Sequence, residues 1–212
     1  MALELLPPEA LVRTSEVDHA AWNFEGILGY VSQQRFRLVT SLLPRTPVAR
    51  LIEVGYGSGV FFPELAKHAT ELFGADVHPH YAEVREALAR AGVAATLVQA
   101  PAETLPFEDG FFDIAVAVST FEFVTDAAKA ILEIARVLKP DGYAIVVTPG
   151  DTPLLDMALR IFTGESAEKD FGERRSLIVP ALVREMKLER SKWFPAPWPV
   201  PVYRALQLSR RS

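Results

Sequence analysis

Glu53 stands just ahead of three glycines at alternate positions, Gly55, Gly57 and Gly59, and a second carboxylate, Asp76, follows downstream. Glycines so spaced remove every Cβ where a strand turns sharply into a helix, so a ligand can lie against bare backbone. That is a nucleotide-binding corner. The dinucleotide fingerprint needs a further glycine opening the helix, and Val60 stands there instead. An acid at the strand end suits a ligand carrying a cation or hydroxyls and repels a pyrophosphate. The remaining acid–base candidates are few: Glu122, and the histidines His19, His68, His78 and His80. His68, His78 and His80 read as helix-end or exposed loop residues, whereas His19 falls in the N-terminal segment.

The elements that must position these groups follow from periodicity. Arg50–Val54, Thr70–Val77, Ala94–Val98, Phe112–Val118 and Tyr143–Thr148 read as strands, the fourth apolar enough to be buried on both faces. Helices are predicted over Phe24–Leu43, Val60–His68, Pro79–Arg90 and Asp126–Leu138; in the last, Ile131, Ile134, Ala135 and Leu138 form a stripe laid on the sheet. Strand and helix in alternation mean right-handed crossovers and a parallel sheet. Beyond Pro149 the rhythm changes. Asp151–Ile161 and Ser176–Glu185 are expected to be helices around a polar stretch, Thr163–Arg175, and Lys187–Trp193 and Val202–Leu208 an antiparallel hairpin.

Composition sets limits. The 212 residues suffice for one α/β domain, and 50% are apolar. A net charge of -5 without a clustered basic face argues against nucleic acid as a partner. The absence of cysteine excludes disulfides and thiolate chemistry. No metal-ligand spacing is present, and no apolar run approaches the ~20 residues of a membrane span. With no signal-peptide pattern at the start, a cytoplasmic location is expected.

The segment Leu51–Gly59, followed in order by Gly74-Ala-Asp-Val77, Ala102-Glu-Thr-Leu-Pro-Phe-Glu-Asp-Gly-Phe-Phe-Asp113 and Glu133-Ile-Ala-Arg-Val-Leu-Lys-Pro-Asp-Gly142, resembles the motif series of class I S-adenosylmethionine (SAM) dependent methyltransferases. The nearest likeness is to the ubiquinone/menaquinone C-methyltransferase family. The resemblance implies a three-layer α/β/α Rossmann-like sandwich whose seven-stranded, mostly parallel sheet has the order 3-2-1-4-5-7-6, with the last strand antiparallel. It further implies SAM as cofactor, S-adenosylhomocysteine as product and a small-molecule methyl acceptor. A single domain is expected over residues 1–212, with 1–45 as a helical cap and 150–186 as an insertion covering the substrate pocket.

Carried over residue by residue, the resemblance places the glycines 55, 57 and 59 and Tyr56 against the cofactor. Asp76 would accept from both ribose hydroxyls. Glu53 would orient the glycine loop or the amino-acid end, and Ala102 and Glu103 would meet the adenine. At Pro101 the family has an aspartate, so one side-chain acceptor for the adenine is missing. Ser119 lies at the same strand-end crevice. Val77 and Leu105 are either stacking surfaces or plain core. Tyr30, Tyr56 and Phe121 are candidate faces for a sulfonium, with ordinary packing the alternative for Tyr56 and the preferred account of Phe121.

For catalysis, Glu122 and His19 are the candidates. The family often has Glu-His where this chain has Glu122-Phe123, and a helix-start carboxylate with no catalytic task is the alternative for Glu122. Trp22, Phe24, Phe162, Phe171, Trp193, Phe194 and Trp198 concentrate in the two regions that build a lid, which favours an apolar or aromatic acceptor. For Trp193 and Phe194 sealing of the sheet edge is preferred. Arg174 and Arg175 are candidates for an anionic substrate group or solvated charges. Two rival functions stay open: a methyltransferase-like binding module without catalysis, and a nicotinamide-dependent oxidoreductase.

Overall fold

The structure, a computed structural model, describes residues 3–15, 20–150, 172–195 and 202–211. Its strands are β1 (Val48–Val54), β2 (Ala69–Asp76), β3 (Thr96–Gln99), β4 (Phe112–Val118), β5 (Leu138–Pro149), β6 (Met186–Phe194) and β7 (Tyr203–Arg210). The helices are α1 (Gly26–Thr40), α2 (Phe62–Leu65), α3 (Tyr81–Arg90), α4 (Ala127–Val137) and α5 (Gly172–Glu185). The strands form one sheet in the order β3-β2-β1-β4-β5-β7-β6. β1 to β5 pair in parallel, and β7 runs antiparallel to both β5 and β6. The topology is the one expected from the sequence.

Alternation along the buried strands divides the core between the two faces of the sheet. Ile114, Val116 and Val118 of β4 join Ile145 and Val147 of β5 on one face, against α1 and α3 residues such as Val39, Val84 and Leu88. Phe112, Ala115 and Ala117 join Ala144 and Val146 on the other, against Ile131 and Ile134 of α4 and Ile178 and Leu182 of α5. β4 is therefore buried on both faces. The amphipathic stripe of α4 does what its spacing predicts, and Asp126 caps the helix by accepting from the Lys129 N–H at 3.0 Å.

One predicted helix is largely absent. Val60–His68 shrinks to the single turn α2, flanked by short turns in which Glu64 N–H reaches Phe61 O and His68 N–H reaches Leu65 O. Phe61, Phe62 and Leu65 are all fully buried there, so side-chain packing overrides helical repetition. The N-terminal segment closes this region. Leu6 is buried and donates its N–H to Val60 O at 2.9 Å, and Glu4 N–H donates to the buried Glu64 carboxylate at 2.8 Å. Lys67 then bridges Glu64 and Glu4.

β5 begins earlier than expected. Leu138 already pairs with Phe112, and the ladder then shifts register before Ile114 meets Tyr143. Lys139, which the sequence sets beside a helix terminus, instead donates to Asp113. Pulled opposite ways, the Asp113 carboxyl sits below its ordinary range: burial raises it, and bonds from Lys139 and the Arg50 N–H lower it further. The expected helix Asp151–Ile161 lies outside the described residues.

Because Ile131 is fully buried and Leu132 half exposed, Ile131→Ala should cost ~2–5 kcal/mol of unfolding free energy in urea denaturation. Leu132→Ala should change it by less than about 0.5 kcal/mol.

Candidate functional site

Strand order reverses between β1 and β4, which opens a crevice beyond their carboxyl ends. The loop after β1 lines it. Gly55, Gly57 and Gly59 all have left-handed φ, at 76°, 52° and 73°, which explains why glycine is needed at each. Their surroundings differ. A Cβ on Gly55 would run into the Thr120 side chain, whose hydroxyl donates to Val54 O at 3.0 Å and so locks the loop after β4 to the end of β1. A Cβ on Gly59 would press on Val84 of α3 at 3.0 Å, whereas one on Gly57 would meet nothing within 4 Å. Gly57 is thus the open face of the turn.

Asp76, at the end of β2, is drawn into this loop. Its Oδ2 accepts from Gly57 N–H at 2.8 Å and its Oδ1 from His78 N–H at 3.3 Å. A carboxylate has lone pairs left over for further donors. Beneath the loop, Tyr56 packs edge-on against Phe62 and His78, and burial, with the Asp76 charge adding, raises its phenol. The ring is buried in the core, so it supports the turn from below. Its hydroxyl has no hydrogen-bond partner among the described residues.

The same is true of two charged atoms. Glu53 Oε2 on β1 and Arg35 Nε on α1 are both buried without a hydrogen-bond partner among the described residues. Burial pushes the Glu53 carboxyl well above its ordinary value, the Arg35 guanidinium pulls it down, and the Asp76 charge pushes it up again. Arg35 reaches Asn23 Oδ1 at 3.5 Å and lies over the Phe36 ring. Asn23 is itself fixed, donating to Ala20 O and accepting at its backbone carbonyl from Gln33. An orphaned carboxylate oxygen and an orphaned guanidinium N–H in one crevice fit the ammonium and the carboxylate of an α-amino acid.

The loop after β4 bears Ser119, the non-glycine residue with a left-handed φ of 53° among the described residues. Its N–H donates to Val147 O at 2.8 Å. Glu122 is buried, and its Oε1 accepts from the Thr148 hydroxyl at the end of β5 at 2.7 Å. Phe121 packs in the core, as preferred from the sequence.

Other candidates stand apart. Ala102 is buried in the core, and Glu103 accepts from the N–H groups of Thr125 and Asp126, which ties the loop after β3 to the start of α4. Leu105 is core, and Val77 is 65% exposed. Tyr30 is 61% exposed and meets Phe194 edge-on. Phe194 packs on the core, consistent with sealing the sheet edge, and Trp193 is 43% exposed. His19, Phe162, Phe171, Trp198 and the side chains of Arg174 and Arg175 lie outside the described residues. No cluster able to hold a metal occurs among the described residues.

Two residues escaped the sequence reading. Arg35 breaks the apolar series Leu28, Val31 and Leu38 on α1, a charged residue in a core-facing slot, and that was a legible signal. His78 gave none: it looked like a loop histidine, yet it is 7% exposed and its Nε2 bonds Gly57 O at 2.9 Å.

Residues 52–146 match the family described as Methyltransferase domain. Together with the sheet order and the crevice, this match makes the chain similar over these residues to SAM-dependent methyltransferase domains of the Rossmann-like class, a likeness that implies SAM as cofactor. Among its relatives are the sterol 4-C-methyltransferase strm-1 of Caenorhabditis elegans, 34% identical over 98 residues, 45% of this chain and 29% of that one. A ubiquinone/menaquinone biosynthesis C-methyltransferase of Pasteurella multocida is 34% identical over 119 residues, 53% of this chain and 44% of that one. The chain therefore spans half or less of the length of these relatives. A SAM-dependent methyltransferase of Aquifex aeolicus shares the fold with a TM-score of 0.64 at 16% identity, covering 84% of this chain and 92% of that one. Among the described residues no helix is long and apolar enough to cross a membrane.

A group whose folded pKa is raised contributes its full stability below the unfolded value and loses it as pH rises through the folded one. For Glu53 that loss begins above the ordinary carboxylate value of 4.5. Glu53→Gln should therefore raise the Tm of the ligand-free protein near neutral pH by at least about 2 °C, and the gain should vanish towards about pH 4. Differential scanning calorimetry across that range checks it.

Proposed function

We propose that this chain methylates a small apolar or aromatic acceptor, with SAM held across the β1 and β4 strand ends. The observation that carries the reading is the pair of buried, opposite, unsatisfied groups, Glu53 Oε2 and Arg35 Nε, beside the open glycine turn. Glu53 would take the cofactor's ammonium and Arg35 its carboxylate, while the free lone pairs of Asp76 would take the ribose hydroxyls. Gly57 would give the nucleoside room, with Ala102 and Glu103 towards the adenine. When bound there, SAM supplies an electrophilic methyl group on an excellent leaving group, open to in-line displacement. The chain's own task is then to orient the acceptor within about 3–3.5 Å and exclude water.

Glu122 is the candidate base, set at the strand ends by Thr148. The apolar character of the acceptor is supported by three exposed hydrophobic residues, Phe24 just ahead of α1 and Ile27 and Tyr30 in its first turns. Two relatives are named for a sterol and for ubiquinone/menaquinone biosynthesis, acceptors of this kind.

Calorimetry should show S-adenosylhomocysteine binding in the micromolar range, and Asp76→Ala should weaken it by ~1–3 kcal/mol, the cost of a lost charged hydrogen bond. Absence of binding, or preference for NADH, overturns the reading. Glu122→Gln should leave that affinity within about twofold while lowering labelled-methyl transfer to an acceptor extract by about 10²-fold or more. Wild-type binding without any methyl transfer would instead mark a module that has lost catalysis.

A further inference from the structure

Arg136, on α4, finds an acceptor for every N–H of its guanidinium fork. Nε and Nη2 donate to the two oxygens of Glu133 at 2.8 and 2.9 Å, and Nη2 donates also to Leu105 O at 3.0 Å. Nη1 donates to Phe107 O at 2.8 Å and to Asp109 Oδ1 at 2.7 Å. Glu133 Oε2 in turn accepts from Leu105 N–H at 2.9 Å, so α4 holds Leu105 at both its backbone N–H and its carbonyl. Gly110 N–H closes the same loop onto Arg136 O at 2.9 Å. The bond from Arg136 keeps the Glu133 carboxyl below its ordinary range against the pull of burial, and the pair stays charged.

The loop so held, residues 100–111, borders the crevice. Ala100 N–H donates to Asp76 O at 2.8 Å, which starts the loop beside the carboxylate assigned to the ribose. Glu103 then ties it to the start of α4 through the N–H groups of Thr125 and Asp126. Pro101 brings neither an N–H nor a polar side chain, so reading of a base edge falls to the backbone around Ala102 and Glu103. Backbone groups reject a wrong base only if they stay where they are, because the penalty comes from leaving a fixed polar group unpaired. A loop free to shift would pair with either base.

We infer that Arg136 and Glu133 are positioning residues, a clamp that holds the loop after β3 rigid so that its backbone selects adenine as the base of the cofactor. This rests on the SAM reading above. Both residues act through the loop. A lysine could not replace the arginine, since a compact ammonium cannot span two carbonyls and two carboxylates as the planar fork does. Asp109 is the minor partner, 80% exposed and open to screening.

The test is calorimetric affinity for S-adenosylhomocysteine and for S-inosylhomocysteine, in which a carbonyl replaces the adenine amino group and the donor and acceptor of that edge exchange places. Each protein is measured below the onset of its own thermal unfolding. The wild type should prefer the adenine compound by about tenfold or more. Arg136→Lys should bind S-adenosylhomocysteine about tenfold more weakly and S-inosylhomocysteine within about threefold of the wild type, so that the preference collapses. Asp109→Ala should keep the wild-type preference. Equal weakening for both compounds in Arg136→Lys, or no weakening, makes the clamp a stabilising contact only and overturns the inference. Should Arg136→Lys not fold, Glu133→Gln, which sets an amide donor against the guanidinium or the Leu105 N–H, is read by the same ratio. A wild type that binds both compounds equally refutes the selection while the cofactor reading stands; one that binds neither removes the cofactor reading itself.

Discussion

The hydrogen bond from the Gly57 amide to Asp76 Oδ2 joins the carboxyl ends of β1 and β2 across the glycine turn. The turn's left-handed backbone, the burial of Tyr56 beneath it and the inward set of Asp76 all depend on that link. A charge-assisted bond to backbone is about twice as strong as a neutral one, and here it sits in a partly buried loop where water competes poorly. Thr120, reaching from the far side of the crevice to Val54 O, pins the same turn to β4. The crevice therefore exists as a shaped object before any ligand arrives.

What that shape leaves unsatisfied is as telling as what it satisfies. Burying Glu53 and Arg35 without completing their hydrogen bonds costs the free protein stability. Stability withheld in this way is recovered when the missing partners are supplied, so the fold is set to gain most from a ligand that brings both a cation and an anion. The oriented Asn23, fixed at two of its own polar groups, keeps the guanidinium in place meanwhile.

The sequence disclosed the sheet well because its strands obey simple periodicities. β4 alternates into both core faces, α4 carries an unbroken apolar stripe, and the short proline-rich joint between β6 and β7 allows only antiparallel neighbours. It failed where tertiary packing overrides local preference. The run after Gly59 reads as a helix, but Phe61, Phe62 and Leu65 are all buried in the same core cluster as Leu6, and only one turn survives. Within the site, the glycines were legible because turn chemistry demands them, and Asp76 through the motif resemblance. Arg35 could have been found as a charge in an apolar slot. His78 could not, since its burial follows from where the loop after β2 folds, which no local pattern encodes.

β7 lies between β5 and β6 although it follows both along the chain. While the polypeptide is being synthesised, β6 emerges with no sheet neighbour, and the β5 edge, with Ala144, Ile145, Val146 and Val147, stays bare until β7 inserts. An apolar strand with a free edge is a template for wrong pairing between chains. Biosynthesis thus has a vulnerable interval: the sheet's adhesive margin is closed late, by an inserted strand, and a nascent or truncated chain lacking Tyr203–Arg210 would be prone to aggregate through it.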